Sequence, residues 1–432
     1  MLLEKGADTR IVPEGAKSLL EMAVESQNVE MFKVLIKAGT KLEPRGGNTI
    51  FHLVARFGNV EMLKVIKGVK LEGNLTNQNG LTPLHLASEP TIIKMLIRMG
   101  LEVNGKTEKG LTALHLASFK GSLELVRTLC QEGAAVDSQD NDGTSALMVA
   151  LRNLKQDVAT FLLHKGADPN IKDKEGRTAL YYAAKGGCIG LVTILLEAGA
   201  RLNDQENEGI TPAFVAGLNN KSDVLQLLVD NGADLALKNC EGDGIIHLVA
   251  DNGQVEIMKV LLDAGAEVDL KGRDQCTALH CAAERGHAAV VKQLLDAGAE
   301  VDLKGRDQCT ALHCAAERGH VAVVKQLLDA GAKLDARSKD HWTALHYAAE
   351  SGHVQTATTL LDHGACLNAE SESGRTPLMV AAIEGNLPLV QLLVDRGAAV
   401  NAKENRWTAL GWAEHKKHSA IILYLRSRGG VE

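Results

Sequence analysis

A chain of 432 residues with 45% hydrophobic and 23% charged side chains has the composition of an ordinary folded protein, yet only 3% of it is aromatic. Burial must then fall to Ala, Leu, Gly and Val, which suits many thin layers better than one thick core. The net charge of −7 excludes the basic footprint from which nucleic-acid binders draw affinity, and no apolar run approaches membrane-spanning length.

The opening stretch, MLLEKGADTR, carries charge where a secretory signal needs apolar residues. With eight cysteines and no such signal, the thiols are expected to be reduced and the protein intracellular, cytoplasmic with the nucleus left open. Gly6 lies one repeat length before Gly39, so residues 1–12 read as the tail of a repeat whose first helix is absent. The natural protein is therefore expected to extend upstream, with more repeats or another domain.

From residue 13 to 432 the chain repeats itself. A Ser or Thr, or its equivalent, falls at Ser18, Thr49, Thr82, Thr112, Ser145, Thr178, Thr211, Gly244, Thr277, Thr310, Thr343, Thr376 and Thr408, mostly 33 residues apart, which marks about 13 units. An independent marker agrees: glycines at the ends of apolar runs recur from Gly100 to Gly397 in steps of 33. Leu270–Asp302 and Leu303–Asp335 are nearly the same unit twice, differing only at Ala288/Val321, Glu300/Lys333 and Val301/Leu334.

One unit shows the local logic. Thr310 is placed to cap a helix, its hydroxyl accepting from a free N–H of the first turn. Leu312, Ala315 and Ala316 share one face at helical spacing. Gly319 breaks that helix, residues 321–328 form a second amphipathic one, and Gly331 suits a left-handed C-cap. The polar residues that follow make a turn. One such pair cannot bury its apolar faces alone, so neighbours must stack. The expected fold class is all-α: a solenoid of helix-turn-helix units joined by hairpin-like turns, with a capping repeat near 402–432.

TPLHLA at 82–87, TALHLA at 112–117 and the longer TALHCAAERGHVAVVKQLLDAGA resemble the ankyrin repeat, over residues 13–432. Departures stand at Gly244 in place of Thr, at Ala213 in place of Leu, and in the third repeat, which lacks about three residues before Thr91; these repeats are expected to pack less regularly. The resemblance implies a non-catalytic interaction scaffold or adaptor that binds proteins on a concave surface made of turn tips and of the two residues closing each first helix.

Several motifs invite chemistry. GLEVNGKT at 100–107 matches the letters of a phosphate-binding loop, but the repeat phase puts Gly100 at a helix end and Lys106–Thr107 in a turn, with no strand before them. Asn104, after Glu102 and Val103, occupies a turn position that the resemblance marks for asparaginyl hydroxylation; the simpler reading is a turn residue bonding its own backbone. His52, His85, His115, His247, His280, His313 and His346 all stand three residues after the cap position, where a capping box places a side chain that reaches back. Adjacent repeats lie too far apart for these to share a metal. The same spacing argues against zinc or disulfides at Cys276, Cys281, Cys309 and Cys314. No enzyme motif is present, and neither cofactor nor metal is expected.

Mapped onto this chain, the family's binding positions give Arg56, Phe57, Phe119, Lys120, Arg152, Lys185 and Leu218 as a basic and apolar patch suited to an acidic or amphipathic peptide. Phe57 and Phe119 could instead fold back onto neighbouring helices. Trp342 and Trp407 sit in turns just before their Thr. Arg285 and Arg318 repeat beside Glu284 and Glu317, as two identical sites or as a solvated charge ladder. A monomer is expected. Other roles that the resemblance leaves open are a signalling adaptor of the death-fold or inflammasome type with its signalling domain upstream, a regulatory or substrate-recruiting subunit of an enzyme complex, and a nuclear masking protein.

Overall fold

The computed structural model describes residues 17–40, 48–71 and 75–431. The proposed tail at residues 1–12 lies outside them. Every repeat forms two antiparallel helices, and the 13 pairs found among the described residues match the 13 markers in the sequence. No strand occurs among these residues, only three isolated bridges such as Gln139 with Ser145.

The chain divides into two compact units, Met1–Asn207 and Glu208–Glu432. In the first, six pairs run from Leu19–Glu25 with Val29–Lys37 to Ala179–Gly186 with Ile189–Glu197. First helices pack on first helices and second on second. The third pair is the exception: its first helix is only Pro83–Leu86, and Pro90 opens the second. This is where the sequence is short. The residues Glu89 and Pro90 thus cap and begin the second helix rather than closing the first. The Ser88 N–H bonds back to the Ala55 carbonyl (3.2 Å), holding the shortened connection against the preceding repeat.

In the second unit, seven pairs run from Pro212–Leu218 with Ser222–Asp230 to Ala409–Lys416 with Ser419–Ser427. The twin repeats show why the pairs form. Leu312, Ala315 and Ala316 are buried on the first helix, Ala311–Arg318, and Val323, Val324 and Leu327 on the second, Val321–Asp329. Paired alanines at 282–283, 315–316 and 348–349 leave no bulk between stacked first helices. Each buried Val or Leu contributes roughly 1.5–3 kcal/mol. Gly319 (φ 78°) ends the first helix in the left-handed conformation, and Gly331 (φ 86°) is left-handed after the second, as the sequence anticipated.

Among the described residues no helix is long and apolar enough to cross a membrane.

Candidate functional site

The seven histidines are structural, and they do more than cap. In the repeat of Thr112, the backbone N–H of the cap donates to His115 Nδ1 at 3.1 Å, and the hydroxyl lies 2.8 Å from the same nitrogen. An Nδ1 that accepts leaves the proton on Nε2, which donates to the Thr144 carbonyl of the next repeat at 3.0 Å. His52, His85, His247, His280, His313 and His346 make the same reach, to Leu81, Leu111, Leu270, Cys309, Trp342 and Arg375. Burial pushes all seven imidazoles below their ordinary range, His313 and His346 to about 4.

This corrects the expected role of the Thr hydroxyl. Where the third helical residue is not His, the cap oxygen does accept from its N–H, as at Ser145, Thr178, Thr211, Thr376 and Thr408. At Thr310 it sits against His313 Nδ1 instead, 2.9 Å away.

The turns are stapled from repeat to repeat in the same way. Asn104 Nδ2 donates to the Gly133 carbonyl (3.3 Å), and its Oδ1 accepts from the Ala135 N–H (2.8 Å). The amide therefore bonds the following repeat, not its own turn. Lys106 Nζ donates to the Gln139 carbonyl at 2.8 Å, and Thr107 Oγ1 accepts from the Leu111 N–H. Both side chains of the phosphate-loop lookalike are thereby committed to turn structure.

In the first unit a groove of about 590 Å³ opens between the helices Ala113–Lys120 and Ala146–Arg152. Its floor is Leu111, Leu116 and Val149. Phe119, Arg152 and Asn153 stand where the helices end, and Asp140, Asp142 and Thr144 where they begin, with His115 beneath. Phe119 is 58% exposed and does not fold back. The Arg152 guanidinium lies 5.7 Å from the Tyr182 ring centroid. Tyr182 in turn donates to Asp173 Oδ2 at 2.5 Å; burial, with that bond, pushes its phenol up to about 12.

The sequence-derived patch is thus brought together only in part. Phe119 and Arg152 share the groove, whereas Arg56, Phe57 and Lys185 do not line it. Phe57 is half-buried with Arg56 6.0 Å from its ring centroid; Lys120 and Lys185 are exposed. Leu218 is half-buried and belongs to the second unit. Leu116, Val149, Asp140 and Asp142 were missed. The first two fill the variable position of the L-H-x-A box, whose outward aim the repeat register does give.

In the second unit, Arg285 pairs with Asp251 (2.7 Å) and Arg318 with Glu284 (2.8 Å), each carboxylate coming from the preceding repeat. This geometry corresponds to the charge ladder. Trp342 is half-buried against His346 and Tyr347, with centroids 5.6 and 5.3 Å apart. Trp407 is 39% exposed and 5.0 Å from Trp412. Trp412 Nε1 donates to Glu404 Oε2 (3.0 Å), which also takes Arg375 Nε at 2.9 Å. Burial raises the Glu404 carboxyl, but bonds from Arg375, Ser373 and Trp412 outweigh it and leave its pKa below the usual value. Cys276, Cys281, Cys309 and Cys314 are free thiols; burial pushes Cys281 up to about 12 and Cys314 well above its ordinary range. No cluster of three or more metal-ligating side chains occurs among the described residues.

A family model of three ankyrin repeats matches residues 20–107, 89–173, 165–239, 214–305, 298–371 and 366–432. No curated protein matches the chain. Helix pairs at a fixed step, the reach of each box histidine into the next repeat, and matches spanning residues 20–432 lead to one assignment: the chain belongs to the ankyrin-repeat family.

Proposed function

We propose that the chain is a non-catalytic interaction scaffold whose first unit docks a protein segment in the groove beside Phe119 and Arg152. Ankyrin repeats are protein–protein interaction modules. The observation that carries the more specific reading is Phe119: a large ring held 58% exposed on the rim of an apolar-floored groove. Exposed aromatic and Arg side chains beside a concavity are what binding hot spots are made from. Arg56, Phe57, Lys120 and Lys185 supply outlying contacts in this unit. Leu218, Trp342, Trp407, Arg285 and Arg318 offer a separate surface in the second, and Asn104 a hydroxylation site that a +16 Da peptide would reveal. The scaffold works as a monomer in the cytoplasm.

The test is capture from lysate with the full chain beside a Phe119→Ala/Arg152→Glu variant, read by mass spectrometry. Loss of partners with an unchanged melting temperature supports the groove. Partners captured equally by both proteins overturn it. The partners' identities also separate an adaptor from a subunit of an enzyme complex.

A further inference from the structure

The groove is polar in both senses of the word. Asp140 and Asp142 stand at one end, in the turn before the helix Ala146–Arg152; Arg152 stands at the other. Leu116, Phe119 and Val149 lie between. The helix between the charged ends is about 10 Å long, at about 1.5 Å per residue, and Asp142 stands four residues before its start.

Arg152 makes no ion pair among the described residues, and its nearest neighbour of note is the Tyr182 ring. The arginines closing first helices in the second unit behave otherwise: Arg285 and Arg318 are each held by a carboxylate from the preceding repeat. Arg152 stands one position earlier in its repeat, seven residues after the cap, where Asp251 and Glu284 stand in theirs. Phe119 fills that position in the repeat before, and Ser118 lies 34 residues upstream of Arg152, so no carboxylate is placed to answer the guanidinium. At the far end, Asp140 Oδ1 accepts from the N–H groups of Asp142 and Thr144 and so shapes the turn. The exposed Asp142 carboxylate makes no ion pair among the described residues.

In an extended chain, residues i, i+2 and i+4 face one side and span about 13 Å at roughly 3.3 Å per residue. That span and that charge order match the groove. We propose that it takes an extended segment of a partner protein bearing a basic side chain, an apolar one two residues on, and an acidic one two residues beyond. The basic group meets Asp142 and Asp140, the apolar group sits over Leu116 and Val149 beside Phe119, and the carboxylate meets Arg152. The segment runs in either chain direction, since the side chains set the match. This inference rests on the groove being a docking surface, as proposed above.

The probes are four fluorescein-labelled peptides with Gly-Ser flanks and the cores Lys-Ala-Leu-Ala-Glu, Lys-Ala-Leu-Ala-Lys, Glu-Ala-Leu-Ala-Glu and Ser-Ala-Leu-Ala-Ser. They are titrated with the full chain by fluorescence anisotropy at low ionic strength. The mixed-charge core is expected to bind about tenfold more tightly than either like-charged core, because complementary ends attract and like ends are penalised. Arg152→Glu should move the preference to the Lys/Lys core, and Asp142→Lys to the Glu/Glu core. Neither side chain bonds to the fold's backbone, so circular dichroism should show both variants folded. Equal binding of all four cores, weakened by Phe119→Ala, overturns the charge pattern and leaves the groove as a docking surface. Binding that ignores Phe119→Ala, or no binding of any core, overturns the inference, and the first of these removes the groove as well.

Discussion

His346 Nε2 donates to the carbonyl oxygen of Arg375, 29 residues further on and one repeat away, at 3.0 Å, while its Nδ1 accepts from the Thr343 N–H at 3.1 Å. A second proton on this ring would have to sit on Nδ1, facing an N–H. Geometry and burial therefore both favour the neutral form, here and in the six equivalent histidines.

Acid should loosen the stack within a defined window. The unfolded chain takes protons near pH 6.5, while folded His313 and His346 resist until about pH 4. Their stabilising contribution is intact above pH 6.5 and is lost progressively as pH falls toward 4. For His313 the full loss is on the order of 3 kcal/mol. Urea unfolding followed by circular dichroism through that range checks this; midpoints that stay flat down to pH 4.5 would sink it.

Removing one ring should sever a link between neighbours. His313→Ala leaves the Thr310 N–H and the Ala336 carbonyl without the imidazole and removes its bond to the Trp342 carbonyl, which keeps the Ser338 N–H; it is expected to cost about 2–4 kcal/mol. His313→Gln keeps an acceptor for the cap and should recover part of the loss. All three tryptophans lie in the second unit, so their fluorescence during urea unfolding reads this change where it occurs.

The GRDQ turns carry strain that glycine would remove. Asp307 and Gln308 have φ of 51° and 59°, and Asp274 and Gln275 are alike at 55° and 62°. Two successive left-handed residues make the two-residue hairpin turn that favours Asp-Gly, and glycine stands at the matching second position in Gly110, Gly143 and Gly176. Gln308→Gly should stabilise the second unit by roughly 0.5–1 kcal/mol, strain relief outweighing glycine's entropy. A lowered denaturation midpoint would contradict this account.

Breaking the Arg375–Glu404 pair should hurt more than its surface position suggests. The Glu404 side chain is only 6% exposed. Arg375→Met leaves it ionised and buried, at a cost of about 3 kcal/mol, and should alter Trp412 fluorescence, since Trp412 bonds the same carboxylate. Glu404→Gln in the Arg375→Met background is expected to regain part of the stability.

The fold was legible because its cause is periodic. Thr310, Gly319 and Gly331 each announce a local event, and the step of 33 residues repeats it until chance is excluded. The site was less legible. Phe119 and Arg152 stand out as an aromatic and a cation at outward positions. Leu116 and Val149 look like any apolar residue of a helix, and Asp142 like any acid in a turn. What joins them is adjacency across a repeat, which a linear reading weighs poorly. The partners of Arg285 and Arg318 hide for the same reason, each lying 34 residues upstream. The second nitrogen of each box histidine hides too, because capping already accounts for the first.

The twin repeats have a consequence for how the stack is counted. The helix Ala278–Arg285 rests on Ile245–Asp251, and Ala311–Arg318 rests on Ala278–Arg285. Since the two copies offer nearly the same faces, Ala311–Arg318 fits directly on Ile245–Asp251, with Arg318 meeting Asp251 where Arg285 belongs. Leu270–Asp302 is then left as a loop, whose closure costs little more than that of a shorter one. Such a slipped register forfeits one layer of burial but keeps every remaining contact well matched. It is a trap for the refolding chain, entered by miscounting rather than by mispairing, and a chain refolded from urea should carry a slow phase that disappears when the sequence of one copy is made distinct from the other.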